Sequence, residues 1–203
     1  MIGHKKNFWD NRYAQEEMVY GNEPNAFFRQ QLAAIKPGKI LLPADGEGRN
    51  AVYAATQGWD VQAFDYSEAG KYKALKLADK FGVSINYQIA NAEDFDCLPE
   101  SCDAIALIYA HFPAVLRLSF HAKIYRWLKP GGKLILEAFH PNQLDGYPSG
   151  GPKDITMLYT AQMLEQDFSE LTIDLLEEKE IELDEGPYHK GKGYVTRMVA
   201  SKP

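Results

Sequence analysis

The stretch Lys39 to Tyr66, K-I-L-L-P-A-D-G-E-G-R-N-A-V-Y-A-A-T-Q-G-W-D-V-Q-A-F-D-Y, constrains the fold more than any other part of the chain. Ile40, Leu41 and Leu42 form a short apolar run, as expected of a strand covered on both faces. Asp45-Gly46-Glu47-Gly48 is a turn whose two glycines permit positive φ and close approach of a ligand to the backbone. Arg49 to Gln57 suits a helix stopped by Gly58, and Val61 to Phe64 a second strand with Asp65 at its end. Strand, turn, helix and strand make one unit of a parallel α/β sheet. A glycine turn opening a helix leaves N–H groups and a positive dipole end toward a ligand. Asp65 follows Gly46 by 19 residues, a spacing at which an acid can accept both ribose hydroxyls of a nucleoside. The stretch therefore points to an adenosine-bearing ligand.

The rest of the sequence sets bounds on that reading. At 203 residues the chain is expected to form one domain, 1–203, with an N-terminal lid and helix over 1–38 and a sheet core over 39–203. It is 45% hydrophobic and carries a net charge of −6, which disfavours nucleic acid and anionic membrane as partners. Cys97 and Cys102 flank a short polar loop with no further Cys or His beside them, so they read as reduced thiols and no metal site is expected. No leader-like apolar segment follows Met1, and no apolar run approaches a membrane span, so a cytoplasmic chain, monomer or homodimer, is expected.

In chain order, Phe8, Trp9 and Tyr13 cluster at helical spacing, and Phe28, Leu32 and Ile35 mark an amphipathic helix ended by Lys36-Pro37-Gly38. Ser67 caps a helix whose buried stripe is Ala74, Leu77, Ala78 and Phe81. Strands are expected at 83–89, 103–108 and 133–139, with a helix striped by Leu116, Phe120, Ile124, Trp127 and Leu128 between the last two, from which His121 falls away toward solvent. The strand after the long crossover lies beside the first one, so Tyr109 to Pro113 are expected to wall the reactive pocket. His111 in that segment is either a base or a loop histidine bonded to backbone. The glycine- and proline-rich loop after His140-Pro141 reads as a substrate lid or as simple disorder. A strand pair, 171–184 and 194–200, closes the chain around Glu185-Gly186-Pro187-Tyr188-His189-Lys190-Gly191, whose His189 is either a pocket residue or a hairpin tip.

Taken literally, Gly46 to Ala51 satisfies G-x-G-x-x-G/A, the dinucleotide pattern. Leu41 to Asn50, however, resembles the first motif of class I S-adenosylmethionine-dependent methyltransferases, L-D-L-G-C-G-x-G-R-N, and its G-x-G-R-N ending is most similar to the tellurite-resistance (TehB-type) family. Lys129-Pro130-Gly131-Gly132 and the E-G-x-x-H-x-G segment are also similar to family landmarks. Two positions depart: Leu42 stands for the usual acid that helps hold the methionine end, and Ala44 for the first glycine. The resemblance implies a doubly wound, Rossmann-like, seven-stranded mostly parallel sheet with helices on both faces and an antiparallel last strand. It implies S-adenosyl-L-methionine as cofactor, S-adenosyl-L-homocysteine as product and a small-molecule methyl acceptor, a thiol or chalcogen oxyanion among the candidates. The implied cofactor-binding residues are Trp9, Tyr13, Ala44, Gly46, Gly48, Arg49, Asp65, Tyr66, Asn91, Ala92, Glu93 and Tyr109, with Trp9 and Tyr13 either a lid or a core anchor. The candidate bases are His111, His140 and His189. An NAD(P)-dependent oxidoreductase and a non-catalytic cofactor-binding protein of the same fold stay open, although no S/Y-x-x-x-K set supports the former.

Overall fold

The computed structural model of this chain describes residues 2–203, with side chains from Phe8 onward. Helices α1 (Ile2–Tyr13) and α2 (Ala26–Leu32) precede the first strand, β1 (Lys39–Pro43). There follow α3 (Arg49–Thr56), β2 (Asp60–Asp65), α4 (Glu68–Lys80), β3 (Asn86–Ile89) and β4 (Cys102–Ile108). Helix α5 (Ala114–Trp127) leads to β5 (Leu128–Phe139), and α6 (Ala161–Asp167) to β6 (Thr172–Asp184) and β7 (Lys190–Ser201). The seven strands lie in the order β3-β2-β1-β4-β5-β7-β6, with β7 antiparallel to both of its neighbours. The doubly wound sheet with its antiparallel last strand is thus the one the sequence implied.

The central strands are apolar throughout because both faces are covered. Ile40 and Leu42 of β1 pack with Phe28, Leu32, Ala51 and Ala54, while Leu41 points to the other face with Ile105, Leu107, Phe120 and Trp127. Phe120, Trp127 and Phe64 are fully buried, each stabilising the fold by about 1.5–3 kcal/mol through area removed from water. The Lys129–Gly132 turn is spliced into β5: Cys102 pairs with Leu128 but Ala104 with Lys133, so the turn bulges out of the ladder, with Gly131 at φ 76°.

Several local expectations change. Phe81, expected in the buried stripe of α4, is exposed at the helix's C-terminal end. Helix α2 stops at Leu32, and Ile35 packs against the core from the turn beyond it. Strand β3 is only Asn86–Ile89. His121 is buried rather than exposed: its Nδ1 lies 2.7 Å from Asp167 Oδ2 and its ring stacks on Phe168 at 4.6 Å. Helix α6 covers that side of α5, a long-range contact invisible in one helix's periodicity. Among the described residues, no helix is long and apolar enough to cross a membrane.

Candidate cofactor and acceptor cavity

The turn after β1 is held in an unusual backbone shape. Ala44 has φ 52°, Gly46 φ 55° and Gly48 φ 81°. Ala44 therefore adopts the left-handed conformation that a glycine takes at no steric cost, which burdens the fold by about 1–2 kcal/mol. Ala44→Gly is expected to raise unfolding stability by about 0.5–1 kcal/mol, the relief of strain less the added freedom of the unfolded chain. A lower denaturation midpoint in that variant would show that the Ala44 methyl contributes more by packing than it costs in strain.

Each glycine of the turn has its own neighbour. Gly46 donates its N–H to Asp65 Oδ2 at 3.2 Å and accepts the Tyr87 hydroxyl at 2.6 Å. A methyl on Gly46 would sit 2.5 Å from the Tyr13 hydroxyl. Gly48 faces away from the ligand side, and a methyl there would lie 2.4 Å from Ala74 Cβ on α4. Gly48 is a packing residue at the start of α3, not a wall of the cavity, which corrects its sequence-based placement.

A cavity of about 860 Å³ opens at the carboxyl ends of β1, β2 and β4, where the topological switch places it. Of the residues implied by the resemblance, Trp9, Tyr13, Ala44, Gly46, Arg49, Asp65, Tyr66, Asn91, Ala92, Glu93 and Tyr109 all line it. Trp9 and Tyr13 stack at 5.3 Å and form one wall. Asp65 is buried, accepts N–H groups from Gly46 and from Ser67 at 2.9 Å, and has its carboxyl pushed up to about 6 by burial. Asp45 also lines the cavity. It accepts Ala51 N–H at 3.2 Å and the Asn50 amide at 3.4 Å, and burial raises its carboxyl to about 7. Two carboxyls with raised pKa values beside one cavity, Asp65 buried and Asp45 half-buried, fit a ligand that brings positive charge.

The three histidines separate clearly. His111 lines the cavity, but both its ring nitrogens are engaged. Nδ1 lies 2.7 Å from Met157 O, and Nε2 accepts Phe139 N–H at 3.2 Å, which fixes the Nδ1-protonated tautomer. Burial holds its pKa down at about 4, so His111 is a neutral wall with no free lone pair. His140 does not line the cavity; it caps the turn Pro141–Leu144, accepting Asn142 N–H at 3.0 Å, with Nε2 3.4 Å from Glu178. Both are therefore withdrawn as bases. His189 lines the cavity, is buried, and packs its ring against Tyr20 at 4.4 Å and Tyr109 at 4.6 Å. Its Nδ1 stands 3.8 Å from Glu185 Oε2, too far for a hydrogen bond, and has no other partner among the described residues. Burial lowers its pKa, so it is neutral near pH 7 and able to accept a proton.

Charged side chains tie the cavity's walls together from distant parts of the chain. Glu47 accepts Val19 N–H at 2.8 Å and pairs with Lys73 at 2.8 Å. Asn25 donates to Glu137 at 2.6 Å and to Glu185 at 2.9 Å. Glu137 also accepts the Tyr109 hydroxyl at 2.7 Å and Arg197 Nε at 2.5 Å, and Glu185 pairs with Arg49 at 2.5 Å. Every one of these buried charges is matched, which is what makes such a network tolerable. Tyr109 itself sits at φ 53°, a strained backbone held by these bonds at the cavity edge.

Sequence reasoning missed Phe8, Arg12, Asp45, Glu47, Met157 and Tyr188, all of which line the cavity, as does the Gly150–Asp154 segment of the loop read as a substrate lid or as disorder. Asp45 was the most legible of these, since an acid inside the glycine turn is not needed for the turn itself. The loop segment and Tyr188 reach the site only through tertiary packing.

The sheet order, the cavity at the switch point and the acid at the end of β2 together define a class I methyltransferase architecture. The sequence model of a family described as "Methyltransferase domain" matches residues 40–132. That match takes in just under half of the chain, and the fold is the one such methyltransferases share; methyltransferases of this class use S-adenosylmethionine. It is 31% identical over 109 residues to the ubiquinone/menaquinone biosynthesis C-methyltransferase UbiE of Geotalea daltonii, covering 50% of this chain and 46% of that one. The match thus spans about half the length of that curated relative. A structure solved for the conversion of a disulfide bond into a thioacetal group during echinomycin biosynthesis superposes with a TM-score of 0.79 at 17% identity, over 98% of this chain and 92% of that one. TehB from Haemophilus influenzae superposes with a TM-score of 0.73 at 16% identity, over 98% and 67%. At these identities the two structures support the fold.

Proposed function

We propose that this chain transfers the methyl group of S-adenosylmethionine to a small-molecule acceptor. The observation that carries the reading is one cavity joining the nucleoside side, Asp65 and Asn91 to Glu93, to the free ring of His189. The cofactor, when bound, supplies a methyl already activated on a sulfonium, so the protein's part is alignment, exclusion of water and charge. In this reading Asp65 accepts ribose hydroxyls, and Asn91 and Ala92, which line the same cavity, border adenine. The faces of Trp9 and Tyr13 suit a cationic centre. His189 takes the proton of the acceptor. Tyr20, Tyr109, Phe139, Met157 and Tyr188 make its surroundings aromatic and polarizable, which favours a soft nucleophile such as a thiol or a chalcogen oxyanion.

The glycine turn argues against a dinucleotide. A pyrophosphate needs free N–H groups there. Gly46 N–H is taken by Asp65, Gly48 N–H by Asp45 O at 3.0 Å, and Ala51 N–H by the Asp45 carboxylate. Asp45 thus occupies the anion position at the start of α3, and a second polyanion beside it would be repelled.

Calorimetric titration with S-adenosylmethionine, S-adenosylhomocysteine and NADPH tests the reading. Micromolar binding of the first two without the third is expected; binding of NADPH alone overturns it. The same titration checks the electrostatics. Asp45 and Asp65 keep their protons to about pH 7 and 6, above the value of 3.8 for a free aspartate. The folded state therefore binds more protons than the unfolded one between those values, and stability falls as pH rises through the window. A cationic ligand favours the ionised carboxylates, so S-adenosylmethionine should bind more tightly from pH 5.5 to about pH 8 and release protons. Proton uptake, measured in buffers of different ionisation enthalpy, would contradict this assignment of charge.

A further inference from the structure

The turn end of the cavity is acidic, whereas the His189 end holds cations that no carboxylate among the described residues pairs with. Arg12, in the last turn of α1, lines that end and is half-buried. Its guanidinium lies 4.6 Å from the Phe8 ring, 5.4 Å from Trp9 and 4.6 Å from Tyr188. One nitrogen, Nη1, donates to the Tyr20 hydroxyl at 3.3 Å, and the Tyr20 ring in turn rests on His189. No carboxylate among the described residues pairs with Arg12. Lys153, on the loop across the cavity, is likewise unpaired among them. Arg49 on the same wall shows the contrast, because its charge is consumed by Glu185 at 2.5 Å.

We propose that Arg12 is the cavity's anion receptor, a guanidinium preset to take a carboxylate. Three rings within 5.4 Å crowd the guanidinium and restrict it, and of its N–H groups only one on Nη1 has a bond among the described residues, to the Tyr20 hydroxyl. A coplanar carboxylate meets a guanidinium edge with two parallel hydrogen bonds, a match an ammonium cannot make. The aromatic cage also lowers the local dielectric, so an anion there is held more strongly than on an open surface. Two ligands can bring the carboxylate: the methyl acceptor, or the amino-acid tail of S-adenosylmethionine. Both sources rest on the methyl-transfer reading above, whereas the receptor geometry does not.

The test compares the natural protein with Arg12→Gln and Arg12→Lys by calorimetry. The ligands are S-adenosylhomocysteine, 5′-methylthioadenosine (the same nucleoside thioether without the amino-acid tail), benzoate and benzamide. The aromatic acids are titrated with and without S-adenosylhomocysteine present. In Arg12→Gln, a carboxylate-bearing ligand is expected to bind about tenfold or more weakly, with 5′-methylthioadenosine unchanged and Arg12→Lys recovering only part of the loss. A loss confined to benzoate, with benzamide binding poorly throughout, assigns the receptor to the acceptor. A loss confined to S-adenosylhomocysteine assigns it to the cofactor tail. Arg12→Gln binding S-adenosylhomocysteine and benzoate as the natural protein does, including the case where neither form binds benzoate, overturns the proposal. So does an equal loss of 5′-methylthioadenosine, which would mean the wall had collapsed. If the natural protein binds neither nucleoside, the methyl-transfer reading fails, and its preference for benzoate over benzamide decides Arg12 on its own.

Discussion

Asp65→Ala should weaken S-adenosylhomocysteine binding by about 1–3 kcal/mol, the worth of hydrogen bonds to a charged acceptor. The carboxylate has two tasks in the structure. It fixes Gly46 and Ser67 through their N–H groups, and it faces the cavity beside Tyr13 and Tyr66. Asp65→Asn separates the two, because its amide oxygen can still accept one backbone N–H while the charge and one acceptor are lost. Asn should therefore retain most of the folding stability and lose part of the affinity, whereas Ala loses both. Unchanged affinity in Asp65→Ala, measured on protein shown to be folded, would remove the nucleoside from this end of the cavity.

Gly48→Ala should cost about 2–4 kcal/mol of stability. The new side chain would have to adopt a φ of 81° and would lie 2.4 Å from Ala74 Cβ and 2.8 Å from its Cα. The first demand costs about 1–2 kcal/mol and overpacking against a buried helix about 1–3 kcal/mol. Since Ala74 is fully buried, α4 has little room to yield. Ala74→Gly in the same chain should recover part of the loss, and chemical denaturation of the two single variants and the pair gives the coupling directly. Additive losses would show that Gly48 is required for something other than this helix contact.

Much of this architecture was legible in the sequence for simple reasons. Continuous apolar strands such as Ile40 to Leu42 and Ala104 to Ile108 announce a sheet covered on both faces, and the turn at Gly46 with the acid at Asp65 marks the nucleoside end. What failed was whatever depends on a neighbour remote in sequence. His121 lies off its own helix's stripe yet is buried by α6. His111 and His140 look alike in the sequence, but backbone partners on other segments consume their ring nitrogens. Gly48 belongs to the glycine motif, but α4 explains why no side chain fits there. The departure at Leu42 is likewise a packing fact: the side chain is buried with Phe28 and Ala51 and does not face the cavity. The acid beside the turn is Asp45 instead.

The position of β7 between β5 and β6 bears on how the chain reaches this state. β6 is complete before β7 but has no sheet partner until the last dozen residues arrive, because its ladder is entirely with β7. The Asn25 side chain bonds residues 112 and 160 positions away, so the far wall of the cavity closes only when both ends of the chain meet. Contacts of such long sequence separation form late and slowly. During synthesis the first five strands can assemble while β6 waits as an unpaired, acidic edge whose charge discourages pairing with other chains. The Asp65 end of the cavity thus stands on strands made early, whereas its His189 end is complete only once the last strand is inserted.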